Sequence, residues 1–139
     1  MKTNWDEEGM KNIQRLYTQS TLAKKCKVSL QTVKNWCLWA GLTPPKKATY
    51  FSCDEMEALA DFYIAYKFLR VQQDAYIDTV LGMGGLKKYI TSVRRMSLRQ
   101  FVTEFLTAEE KAHFLAQILV DKLEEEIEDD EFNFGGTAA

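Results

Sequence analysis

The sequence predicts a mostly α-helical protein, with a basic N-terminal head followed by a C-terminal helical region. Three observations predict it. Apolar residues recur at helical spacing in several windows. Hydroxyl or acidic side chains stand where helix caps are needed. Charge is segregated along the chain: residues 9–53 hold eight Lys and Arg and no acid, residues 79–103 hold five and again no acid, and residues 121–131 hold eight acids against Lys122. The net charge of −2 hides this contrast. Like charges cluster where a polyanion has to be met, and an acidic tail keeps such a chain soluble or competes for its basic face.

The chain has 139 residues, enough for one compact domain or a small head with an added segment. Its composition, 46% hydrophobic and 27% charged, is that of a globular protein. No apolar run approaches the roughly 18 residues that span a bilayer, and the acidic N-terminus does not look like a signal peptide. A cytoplasmic location without membrane contact is therefore expected. Cys26, Cys37 and Cys53 are odd in number and form no close pair, and the only histidine is His113. Free thiols are expected, with no metal site and no cofactor.

In the head, "TLAKKCKVSLQTVKNWCLWAGL" reads as two helices joined by a tight turn. Thr21 is expected to cap the first, over residues 22–26. Ser29 caps the second, over residues 30–40, and Gly41 stops it. Leu22 and Ala23 press on Val28, Val33 and Trp36, together with Cys37 or Ala40. An alanine suits a close crossing. The offsets of Ala23, Lys27, Val28 and Val33 are those of a helix-turn-helix. Lys27 stands where glycine is favoured, at a cost of about 1 kcal/mol if φ is positive there.

Placed in a major groove, the second helix turns Leu30, Gln31, Lys34 and Asn35 outward, with Ser29 and Thr32 at the edge. Gln and Asn pair with adenine, Lys donates to guanine or phosphate, and Leu30 touches a thymine methyl. Lys24, Lys25 and Lys27 meet flanking phosphates. The plain alternative is a solvated polar face. The turn pattern and the acid-free window favour the DNA reading.

After the second helix comes "AGLTPPKKATYFSCDEMEAL". Gly41, Leu42, Pro44, Tyr50, Phe51, Asp54, Glu55, Met56 and Leu59 match, in order, the features that follow the reading helix in MerR-type regulators. Thr32, Val33, Lys34, Asn35 and Trp36 stand where that family has Thr-Ile-Arg-Tyr-Tyr. Residues 16–80 thus resemble the MerR-type head. The resemblance implies a winged helix-turn-helix with a short wing at "KKAT", with Lys46 and Lys47 as wing contacts to phosphate. Thr49 occupies the family's arginine position. The family also implies a homodimer, joined by C-terminal helices, on palindromic double-stranded DNA.

Beyond the head, Asp54 with Glu57 is expected to open a helix running to residue 81. It carries one apolar stripe of Met56, Leu59, Phe62, Tyr63 and Tyr66, and a second of Ala60, Ile64, Phe68 and Val71, so it should be buried on two sides. "GMGGL" at 82–86 reads as a hinge or turn. Leu86, Tyr89, Ile90, Val93 and Met96 share a face opposite basic residues, and Ser97 caps a short helix. Thr107 and Glu110 form a capping box for a last helix. Its stripe is Ala112, Leu115, Ala116, Leu119, Val120, Leu123 and Ile127, with Phe114 and Ile118 off it. Two apolar faces on this helix suggest that it joins subunits.

The chain accordingly divides into a DNA-binding domain over 1–81 and a helical dimerisation region with an acidic tail over 82–139. The expected function is sequence-specific transcriptional regulation, as a dimeric repressor without a dedicated effector domain. A phage small-terminase or excisionase-like accessory role in packaging or recombination is the alternative, and a protein-only interaction module is a further one. No convergent set of titratable groups suggests an enzyme, and His113 reads as an exposed helix-surface residue.

Overall fold

The computed structural model describes residues 17–123, which are mostly helical and contain no strand. The principal helices are α1 (Gln19–Cys26), α2 (Leu30–Trp39) and α3 (Cys53–Lys67). Short helices α4 (Tyr76–Thr79), α5 (Leu86–Tyr89), α6 (Leu98–Gln100) and α7 (Ala108–Lys111) follow, with 3-10 turns at Gln73–Ala75 and Leu81–Met83. α8 begins at residue 114 and continues to the end of the described chain. Ile127 and the acidic tail lie outside the described residues.

The helix starts are written in local chemistry. Thr18, not Thr21, caps α1. Its hydroxyl accepts from Thr21 N–H at 3.2 Å, while Thr21 Oγ1 accepts from Thr18 N–H at 2.7 Å. Thr21 thus serves as the third residue of a capping box, and α1 gains nearly a turn over the expected helix. Ser52, not Asp54, caps α3, with Glu55 closing a second box through Ser52 N–H at 2.8 Å. The expected box of Thr107 and Glu110 is present at α7, and Ser97 caps α6.

α1 and α2 cross through Leu22, Ala23, Val33, Trp36 and Cys37, all buried. Lys27 takes the left-handed conformation at φ 59°, and Val28 N–H reaches back to Ala23 C=O at 2.9 Å, a Schellman stop. Gly41, at φ 83°, ends α2 in the same way, with Leu42 N–H on Cys37 C=O at 2.8 Å.

α3 is the central element. Met56, Leu59, Ala60, Phe62, Tyr63, Ile64 and Ala65 are all buried, so it is covered on two sides as expected. It ends at Lys67, however, and does not continue to 81. The chain turns through Arg70 at φ 60°, which lets Leu69 and Val71 both enter the core. Arg94, placed by its sequence on a basic face, instead donates from Nη2 to Leu69 C=O at 2.7 Å and holds this corner.

"GMGGL" is a turn, with Gly84 and Gly85 at φ 108° and 115°. α5 and α6 each run on into a wide π-helical turn, at Ile90–Arg94 and Phe101–Phe105. Leu86, Tyr89, Ile90, Leu98 and Phe101 point into the core, whereas Val93 is exposed.

The last helix departs most from expectation. It breaks at Ala112 and His113, so α7 and α8 are separate. α8 starts beside Tyr63 and reaches Glu57 through Lys122 at 2.9 Å, so it runs antiparallel to α3. Leu115, Ala116, Ile118, Leu119, Val120 and Leu123 are all buried within the chain. The faces expected to join subunits are therefore used internally along the described part of α8. One core cluster contains both Leu22 and Leu123 and so crosses the expected boundary at residue 82.

Candidate nucleic-acid interface

α2 is held by its inner face. With Val33, Trp36 and Cys37 buried, helical geometry leaves Leu30, Gln31 and Lys34 exposed to solvent. Ser29 and Thr32 are tied to each other: Ser29 Oγ accepts from Thr32 N–H at 3.1 Å, and the two hydroxyls lie 2.9 Å apart. Ser29 is therefore engaged as the N-cap, and Thr32 is half-buried. Gln31 Nε2 donates to Asn35 Oδ1 at 3.1 Å, an i,i+4 pair that aligns two amides along the outer side of the helix. Asn35 is half-buried and does not project as freely as Lys34.

Lys24, Lys25 and Lys27 are exposed around the last turn of α1 and the corner that follows it. Lys25 Nζ also lies 5.5 Å from the Phe114 ring centre, so its stem is steered by α8. The sequence from residue 17 to residue 53, which holds both helices, contains no Asp or Glu. Six of the expected contacts (Lys24, Lys25, Lys27, Leu30, Gln31 and Lys34) are thus exposed on α1, on α2 or at the corner between them.

The expected wing takes another form. Residues 41–52 contain no strand, and the segment holding Lys46 and Lys47 is a turn closed by Thr49 N–H on Lys46 C=O at 2.9 Å, with Ala48 at φ 64°. No ladder partner lies beside it among the described residues. The loop is anchored instead by Gln19 Nε2 on Pro45 C=O at 2.6 Å and by Phe51 N–H on Tyr17 C=O at 2.8 Å. Lys46 and Lys47 remain exposed. Phe51 is buried but Tyr50 is 56% exposed, so the aromatic pair splits between core and surface.

Beside α2 lies a cleft of about 400 Å³. Trp36 and Trp39 of α2, Tyr63, Tyr66 and Lys67 of α3, Gln73, and His113 line it, together with Cys26, Val28, Thr32 and Asn35. His113 is half-buried between α7 and α8 and does not sit on a helix surface. Its ring stacks on Tyr63 at 4.2 Å, and its Nδ1 accepts from Leu115 N–H at 3.1 Å. Burial, and then the Lys67 charge, lower its pKa. Burial pushes the Cys26 and Cys37 thiols up to about 11, so neither is a reactive thiolate. The cleft residues come from four separate stretches of sequence. The one sequence signal for them is the density of aromatic residues near the end of α2 and in α3.

Among the described residues no group of three or more His, Cys, Asp or Glu is placed to hold a metal ion, and no helix is long and apolar enough to cross a membrane. Compared with protein-family models, curated proteins and solved structures, the chain finds no match.

Proposed function

We propose that the protein binds double-stranded DNA through α2 and acts as a sequence-specific transcriptional regulator. One observation carries this reading. The outer side of a capped helix presents Leu30, Gln31 and Lys34, flanked by Lys24, Lys25 and Lys27, in a stretch of sequence without Asp or Glu from residue 17 to residue 53. The groove-facing turns supply amide and ammonium donors to base edges, and the lysines around the α1–α2 corner supply phosphate contacts. Lys46 and Lys47 reach the backbone from a loop and not from a β-wing. In this reading the likeness to MerR-type heads lies in the helix pair and its aromatic sequel, and the loop replaces the wing.

A dimeric repressor on a palindrome remains part of the proposal. Because the described face of α8 is internal, pairing has to use another surface. Native mass separates the two DNA-binding roles: a dimer supports the regulator, and a ring of many subunits supports a packaging accessory.

The deciding experiment is selection of bound fragments from random duplex DNA, followed by binding at several salt concentrations. A recurrent motif is expected, with affinity falling steeply as salt rises. Lys34→Ala and Gln31→Ala should each weaken preference for that motif by about 1–3 kcal/mol, the cost of a good base contact. Absent binding, or binding indifferent to salt, would sink the reading.

A further inference from the structure

We infer that the cleft between α2 and the end of α3 is a binding site for a planar aromatic anion. Its volume, about 400 Å³, falls within the roughly 300–1,000 Å³ common for small-molecule sites. Its walls are aromatic but unequally occupied. Tyr63 is covered by His113 on one face and met edge-on by Trp36, and Tyr66 lies between Phe62 and the Lys67 ammonium. Trp39 is half-buried and stacks on no other ring among the described residues. It offers a flat face to a flat ligand.

The polar lining selects the sign of charge. Lys67 is the one charged side chain lining the cleft, and no carboxylate lines it. Lys67 makes no ion pair among the described residues, and its ammonium rests 4.9 Å from the Tyr66 ring centre. With Nδ1 of His113 accepting from Leu115 N–H, the proton of the neutral ring sits on Nε2, so this ring has a donor to offer. The Asn35 and Gln73 amides add donors, and the Cys26 thiol stays protonated and carries no negative charge. A donor-rich lining with one unpaired cation favours an anionic group, and the same cation repels a cationic ligand.

The site is tested on the full chain without DNA, so the result is independent of the DNA-binding proposal. Calorimetric titration with 2-naphthoate should show saturable binding at one site per chain. 2-Naphthylmethylammonium keeps the rings and reverses the charge, and cyclohexanecarboxylate keeps the charge and loses the flat rings. Each should bind roughly tenfold more weakly or worse, a step of about 1.4 kcal/mol. Lys67→Gln should lower naphthoate affinity by a similar factor and narrow the gap to the cationic probe. Trp39→Ala should weaken both naphthyl probes. Both side chains are at least partly exposed, and thermal melting of each variant checks that the fold is kept. Absence of saturable binding, equal binding of the two naphthyl probes, or naphthoate affinity unchanged in both variants would overturn the assignment.

Discussion

The head and the stretch after Lys67 are both helical, but they are held in different ways. In the head, α1, α2 and α3 start on Thr18, Ser29 and Ser52, each with a side chain accepting from the first turn, and Lys27 and Gly41 end the first two in left-handed stops. Between residues 68 and 95 no helical piece has a side-chain cap: Gln72, Ala75, Val80 and Gly85 precede helical turns without one. That stretch consists of turns, 3-10 segments, the one-turn helices α4 and α5 and a π-helical end, and it keeps its shape by burying Tyr76, Val80, Leu86 and Ile90. The contrast shows that helices with local start and stop signals tolerate an exposed polar face. Pieces without them depend on the core they cover.

Core truncation after Lys67 should have the largest effect. Tyr76→Ala removes a buried ring that meets Phe62 edge-on at 5.2 Å. It should destabilise the protein by about 3–5 kcal/mol in urea unfolding. A loss below about 1 kcal/mol would show that this segment contributes little to the cooperative unit.

Asp61 should come next, with the opposite sign. Burial raises its pKa to about 6, against the pull of Lys122 and with help from Glu57. A carboxyl whose folded pKa lies above its unfolded value costs stability when ionised. The cost is absent below about pH 4, grows as pH rises towards 6, and is complete above that. Asp61→Asn should therefore stabilise the protein at pH 7 by up to about 3 kcal/mol and lose the advantage near pH 4. His113 acts in the contrary direction. Its pKa is lowered, so its contribution is full above its unfolded pKa of about 6.5 and declines as pH falls below that. Denaturant midpoints of D61N and H113Q against pH separate the two.

Loss of a cap should cost less. Ser52→Ala removes the acceptor for Glu55 N–H and half of a capping box, and should cost about 1 kcal/mol. Lys27→Gly should have the smallest effect, a gain of up to about 1 kcal/mol from relieving the left-handed strain, partly offset by the freedom of glycine in the unfolded chain. If Lys27→Gly also weakens DNA binding, the Lys27 ammonium contributes to the interface.

Much of the head was legible because its signals are local. Ser29 as cap, Gly41 as stop and the inward set Leu22, Ala23, Val33 and Trp36 all follow from residue type and spacing, whereas the positive φ at Lys27 is set by the turn against the preference of a lysine. Two caps were misplaced by two or three residues. Thr18 and Thr21, or Ser52 and Asp54, are chemically interchangeable candidates, and only the backbone shows which one is extended. The exposure of Leu30, Gln31 and Lys34 was legible for the same reason. The partial burial of Asn35 was not, because the neighbouring surface comes from α3 and from the residues near His113.

Helical periodicity, caps and charge segregation, all short-range properties, by themselves determined a mostly helical chain with a basic face at its start. Tertiary structure decided where α3 stops, where the last helix breaks, and which surface its apolar stripe meets. Leu69 and Val71 leave the helix because both find the core, and Arg94 fastens that corner from 25 residues away. Leu115, Leu119 and Leu123 are as fit to meet a second subunit as to meet α3. Periodicity shows that an apolar face must be covered, and only the packed chain shows what covers it.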